Sequence, residues 1–190
     1  YGDRCDEKNF RAEDARKFPK ESLNETRNRI LFDQPIKPAK PNGKRIGIPR
    51  AMSMWGERFP LWTTTFTELG FEIVLSGPTQ KETVRRGAAA ALSDYCAPIR
   101  TAHGAVLELL ERTPALDFIF LPHLISYPRR NLATNAFACP WSQCLPIAAG
   151  EAFDFAARGI KLLAPICEFQ RPQDRLFELT EYLAQELRLP

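Results

Sequence analysis

Long apolar runs are missing from these 190 residues. No uninterrupted hydrophobic stretch approaches the roughly 20 residues a membrane-spanning helix needs. No charged-then-apolar leader opens the chain, so no secretory signal is read. Charge of one sign is not in excess: 26 Lys plus Arg oppose 23 Asp plus Glu, a net +3. That is too little to point to nucleic acid. The signature motifs of nucleotide and acyl chemistry are absent as well. The first strand pattern runs into Pro49-Arg50-Ala51-Met52-Ser53-Met54-Trp55-Gly56, which is not G-x-G-x-x-G, so a dinucleotide fingerprint is excluded. No G-x-x-x-x-G-K-[ST] loop and no G-x-S-x-G elbow occurs. Internal repeats and low-complexity tracts are also lacking.

What is present is a chain of one-domain length with 44% hydrophobic residues, enough for a sizeable core. Sixteen Pro are spread among apolar segments rather than gathered in a tract. Five Cys, an odd number without the spacing of a secreted scaffold, favour a reducing compartment, and a cytoplasmic location is expected. Tyr1, rather than Met, opens the sequence and is read as a cut or processed edge.

Residues 1–29 are dense in both charge signs, followed by the apolar Ile30-Leu31-Phe32. Residues 33–44 carry Pro35, Pro38 and Pro41 and end in an Asn42-Gly43 turn. The expected division is therefore a charged arm and Pro-rich linker over 1–43 and a compact domain over 44–190. In the domain, strand and helix patterns alternate. Strands are predicted at 45–49, 71–75, 116–121 and 160–164, with a short one at 136–138. Helices are predicted at 60–69, 79–92, 99–112, 145–158 and 172–187. Thr79 and Glu82 are read as a capping box, and Gly70 and Gly159 as helix stops. This alternation implies an α/β fold with an open, mainly parallel sheet and helices on both faces. Trp55, Trp62 and Trp141 are expected in the core.

In open α/β sheets, ligands bind beyond the carboxyl ends of the strands, and three Cys are expected there. Cys96 precedes a helix whose first turn suits Pro98. A thiolate there is favoured by the helix dipole, and Arg100 stands one turn in. Cys96 is thus a ligand or reactive thiol, or else a small buried residue before a helix. Cys139 precedes Pro140, which biases it toward extended backbone; Cys-Pro recurs where thiolates hold iron–sulfur clusters. Cys144 and Cys167 are expected to be structural. His103 and His123 are each a ligand, a proton donor or a hydrogen-bonded structural residue. A Cys96/His103/His123/Cys139 zinc site has no support from local spacing. Arg129-Arg130 is either an anion-binding pair or a solvated loop.

Taken together, several strings resemble a known family. They are Ile46-Gly47-Ile48-Pro49-Arg50-Ala51, Phe59-Pro60-Leu61-Trp62, Phe66-Thr67-Glu68-Leu69-Gly70-Phe71, Cys96-Ala97-Pro98 with His103-Gly104, Asp117-Phe118-Ile119-Phe120-Leu121-Pro122, and Cys139-Pro140 with Leu145-Pro146. In this order and spacing, residues 45–165 resemble the cysteine-containing domain of 2-hydroxyacyl-CoA dehydratase activase-related proteins. Tyr1-Gly2-Asp3-Arg4-Cys5 resembles the end of a cysteine-rich segment that precedes that domain, which makes Cys5 the last of an upstream set. The resemblance implies a Rossmann-like fold and an iron–sulfur cluster of the four-iron type, with Cys96 and Cys139 as ligands. It also implies low-potential electron transfer driven by ATP that other domains of the parent chain bind. A domain with no catalysis of its own follows, with other domains of the parent chain or a dehydratase-like subunit as partners and neither nucleic acid nor membrane among them. The alternative is a module that binds a CoA ester or partner subunit and has structural cysteines, with Arg50, Arg100, His103 and His123 as substrate contacts.

Overall fold

The computed structural model describes residues 22–32, 36–52, 58–112, 115–128, 135–170 and 172–189. The chain divides into two compact units, residues 1–35 and 36–190. In the first, helix α1 spans Leu23–Phe32. Its start is an S-x-x-E capping box: Glu25 N–H donates to Ser22 Oγ (3.1 Å), and Ser22 N–H donates to the Glu25 carboxylate (2.9 Å). This helix lies inside the segment read as a charged arm and Pro-rich linker.

The second unit is built on a four-stranded parallel sheet of order β2-β1-β3-β5. Its strands are β1 (Arg45–Ile48), β2 (Glu72–Leu75), β3 (Phe118–Phe120) and β5 (Lys161–Leu163). Ile46, Ile48, Ile119, Phe120 and Leu163 are fully buried, as expected for parallel strands covered on both faces. Asp117 fixes the register at the amino edge. Its carboxylate accepts Arg45 N–H at 2.8 Å, and its own N–H donates to Arg45 O at 3.0 Å. This is the Rossmann-like open α/β architecture that the alternation predicted.

Two of these strands are longer than the sequence pattern suggested. Pro122 and Pro165 interrupt them, and β4 (His123–Ser126) and β6 (Ile166–Glu168) resume beyond as a second parallel pair. Proline removes only a donor; its carbonyl still accepts, and His123 N–H donates to Pro165 O at 2.8 Å. The strand predicted at 136–138 is a single antiparallel bridge between Phe137 and Ser126.

The helices are α2 (Phe59–Glu68), α3 (Lys81–Ala90), α4 (Ala97–Leu110), α5 (Pro140–Ala152) and α6 (Pro172–Leu187). In α2, Phe59, Trp62 and Phe66 form the buried face. Its β-branched run is accommodated by the Thr63, Thr65 and Thr67 hydroxyls, which donate to carbonyls one turn back at 2.7–3.0 Å. Gly70, at φ +87°, ends the segment as expected. The capping box of α3 is formed by Gln80 and Thr83, one residue on from the expected Thr79/Glu82 pair. Helix α5 begins at Pro140, five residues before the expected start, because proline is compatible with a first helical turn. Right-handed crossovers place α2 on one sheet face and α3, α4 and α5 on the other, since the β1–β2 step runs opposite to the β2–β3 and β3–β5 steps. Along α6, Leu179, Leu183 and Leu187 are buried, whereas Leu176 at the same spacing is exposed.

Candidate functional site

A helix that returns the chain to the start of a parallel strand has its N-terminus at the sheet's carboxyl edge. Helices α4 and α5 do this for β3 and β5. Their N-caps are Cys96 and Cys139, and both thiols are exposed. The two ends share a design. Each cysteine has extended-type ψ, 158° at Cys96 and 135° at Cys139, with proline in the first two helical positions. Each cysteine carbonyl accepts the first helical amides: Ile99 and Arg100 for Cys96, both at 3.1 Å, and Ser142 and Gln143 for Cys139, at 2.8 and 3.2 Å. Neither sulfur is spent on a capping hydrogen bond.

Aromatic side chains tie the two ends together. Tyr95, immediately before Cys96, meets Trp141, two residues after Cys139, edge to face at 5.0 Å between centroids. Tyr95 also stacks on His103 at 5.6 Å, and His103 lies 5.9 Å from Phe153. Trp141, expected in the core, is instead 46% exposed. Sequence reasoning missed this Tyr95–Trp141 pair. The available signal was an aromatic residue flanking each candidate cysteine.

The histidines hold one tautomer each. Fully buried His103 donates from Nδ1 to Ile99 O at 2.9 Å, and half-buried His123 donates from Nδ1 to Gln143 O at 2.7 Å. A carbonyl accepts only, so Nδ1 carries the proton and Nε2 the lone pair when the ring is neutral. His103 Nε2 is buried without a partner. His123 pins β4 to α5, and the Gln143 side chain donates back to Ala138 O at 2.9 Å.

Arg100 is half-buried one turn into α4. It reaches Asp94 only at 3.7 Å, and its Nε is buried without a partner. Arg50 follows β1, and its N–H donates to the buried Ser76 hydroxyl at 2.8 Å. Cys144 is exposed on α5 and is therefore not the packing residue expected. Cys167 is buried as expected. Burial pushes its thiol up to about 12, against a smaller downward pull from the Arg58 charge. It stays protonated at neutral pH and is no nucleophile. Among the described residues, no three His, Cys, Asp or Glu converge as a metal site, so the Cys96/His103/His123/Cys139 arrangement is not assembled. Cys5, Arg129 and Arg130 lie outside the described residues. An open depression of about 330 Å³, lined by Glu151, Asp154 and Phe155, sits at the other end of α5 from Cys139.

Fold and site together define an open parallel α/β domain that displays two thiols at its carboxyl edge. The family model of the CoA enzyme activase uncharacterised domain matches residues 45–189, and the chain belongs to that family. No curated protein and no solved structure matches it. Among the described residues, no helix is long and apolar enough to cross a membrane.

Proposed function

We propose that this domain supplies the Cys96 and Cys139 thiolates as two ligands of an iron–sulfur cluster in an activase-like protein of the cytoplasm, where thiols stay reduced. The observation that carries this reading is the pairing of two exposed, hydrogen-bond-free thiols at helix N-termini that one aromatic contact joins. Each N-terminus presents its first-turn amides and the positive end of the helix dipole on the side where its cysteine stands. Pro98 and Pro140 each remove one N–H from a first turn, and the amides after them are taken by the cysteine carbonyls, which leaves Ala97 N–H beside Cys96 and Trp141 N–H beside Cys139 as the first-turn donors nearest the thiols. Tyr95 and Trp141, each within two residues of one of the thiols, hold the two helix starts together through their ring contact.

Two thiolates leave a four-iron cluster two ligands short. The remaining ligands come from other domains of the parent chain or from a dehydratase-like subunit. Exposure of both thiols suits a shared site of this kind. The cluster supplies one-electron chemistry at low potential when bound. ATP acts through domains outside these residues, and this domain orients ligands rather than catalysing a reaction itself.

The test is anaerobic reconstitution of the full-length protein, with iron and acid-labile sulfide measured in Cys96→Ala and Cys139→Ala. Each substitution is expected to remove most of both elements while the melting temperature stays within a few degrees, since both side chains are exposed. Unchanged iron and sulfide in both variants would sink the assignment.

One observation favours a second reading, a CoA-ester module with structural cysteines. Arg100 Nε is a buried donor without an acceptor, close in sequence to Cys96. In that reading Arg50 and half-buried His123 complete the contacts, whereas His103, expected among them, is fully buried beneath Tyr95 and is a structural residue of α4. Calorimetric titration of the metal-free protein with CoA separates the two: saturable binding lost in Arg100→Gln supports the module.

A further inference from the structure

A different part of the carboxyl edge carries its own site. Strand order β2-β1-β3-β5 reverses direction at β1 and β3, because β1 connects outward to β2 while β3 connects outward to β5. Such a reversal is a topological switch point, the place where open α/β sheets bind ligands beyond the strand ends. Helix α2 follows β1, so its N-terminus lies at the carboxyl edge beside that switch point.

Two side chains at this N-terminus each keep a buried N–H donor without an acceptor. Arg58, the N-cap of α2, has Nε buried without a partner, and Trp62 has Nε1 buried without a partner. Trp62 is 2% exposed. The two are four residues apart and share a helix face. Long helical side chains lean toward the N-terminus, so Trp62 covers the first turn that Arg58 opens. Both meet one ring. The Arg58 guanidinium lies 4.3 Å from the Phe169 centroid, and the Trp62 ring lies 6.2 Å from it. Phe169 directly follows β6, the strand extension beyond Pro165. The Arg58 side chain makes no capping hydrogen bond, and among the described residues no carboxylate pairs with it.

We infer that Arg58 and Trp62 form a binding site for an oxyanion, the phosphate or carboxylate group of a small ligand. Guanidinium and indole N–H groups only donate, so the missing partner is an acceptor and not a cation. A positive guanidinium at a helix N-terminus, where the dipole adds positive potential, selects a negative acceptor. Phe169 holds the guanidinium plane in place from the other side. This site uses neither candidate cysteine. It lies on the helix of the opposite sheet face, so it stands or falls separately from cluster binding.

The experiment titrates the protein with inorganic phosphate and, separately, with acetate. Heat is followed by calorimetry, and Trp62 emission is followed in a Trp55→Phe/Trp141→Phe background that leaves Trp62 as the one remaining tryptophan of three. The expected result is saturable binding of at least one anion with a change in Trp62 emission. The preferred anion identifies the group. Arg58→Gln and Trp62→Phe each weaken binding at least about tenfold, the equivalent of one charge-assisted hydrogen bond. Arg58→Gln carries the decision if Trp62→Phe loses its fold. Absence of saturable binding by either anion overturns the site and leaves a neutral buried water as the acceptor. Equal affinity in wild type and Arg58→Gln overturns it as well.

Discussion

Replacing Gly104 by Ala is expected to destabilise the domain by about 3 kcal/mol, the upper end for overpacking a fitted contact. For a chain of this length that lowers the melting temperature by roughly 6–12 °C. The direction is not obvious in advance, because Ala is the better helix former by about 1 kcal/mol. Geometry decides. A Cβ on Gly104 of α4 would stand 1.9 Å from Thr83 O of α3, and a Cβ on Gly87 of α3 would stand 1.8 Å from Arg100 O of α4. Both obstacles are backbone, so no side chain can swing aside. The helices have to separate until these contacts reach the 3.4 Å of ordinary packing. Gly150→Ala is the control. Its Cβ meets only Leu162 Cδ2, at 3.8 Å, so propensity wins and stability rises by up to about 1 kcal/mol. Urea or thermal unfolding of the three proteins checks the contrast. Equal stability of Gly104→Ala and wild type would contradict the close helix contact. Because α4 carries Cys96 at its N-cap, Gly104→Ala also disturbs the thiol pair, while Gly150→Ala does not.

Phe120→Ala is expected to cost about 3–5 kcal/mol, the range for truncating a buried aromatic residue. Phe120 is fully buried at the carboxyl end of β3, with Trp62 at 4.8 Å and Phe66 at 5.0 Å between centroids. Those contacts continue through Phe71 and Phe118, so α2 is held to the sheet largely by rings. The cavity left by Phe120→Ala cannot be filled by rigid neighbours that are themselves packed. Phe120→Leu keeps most of the volume and is expected to cost less, about 1–1.5 kcal/mol. A chevron or equilibrium urea series measures both. Similar losses for Ala and Leu would mean that ring geometry, and not filled volume, supports the wall. Phe120 also backs Trp62, so anion binding at Arg58 and Trp62 weakens along with stability.

Much of the α/β order is legible in the sequence because each element is bounded by a local signal. Arg45–Ile48 and Phe118–Phe120 are apolar runs, and Gly70 at positive φ follows the end of α2, whereas Gly159, also at positive φ, closes a short 3-10 turn over Ala156–Arg158 and not α5, which ends at Ala152. The errors come from residues whose local tendency is overruled. Pro122 and Pro165 look like strand ends, yet a ladder resumes past them, and Pro165 O still accepts from His123 N–H. Pro140 and Pro146 look like helix breakers, yet one sits at the first turn of α5 and the other inside it. The exposed cysteines are legible as Ala97-Pro98 and Pro140 contexts. What is not legible is tertiary. The Tyr95–Trp141 contact joins residues 46 apart in sequence, and the buried donors of Arg58 and Trp62 have meaning only once the strand order places α2 at a switch point.

The most direct test of the thiol pair uses the unsubstituted full-length protein, loaded anaerobically with iron and sulfide and then treated with iodoacetamide. Mass spectrometry reads each cysteine separately. Without cluster, Cys96, Cys139 and Cys144 are exposed and react, whereas Cys167 is buried and held protonated. With cluster, Cys96 and Cys139 are expected to become protected together, to the same degree, while Cys144 reacts as before. Alkylation of Cys96 and Cys139 at the rate of Cys144 in the loaded protein would contradict the proposal that these two thiols hold the cluster.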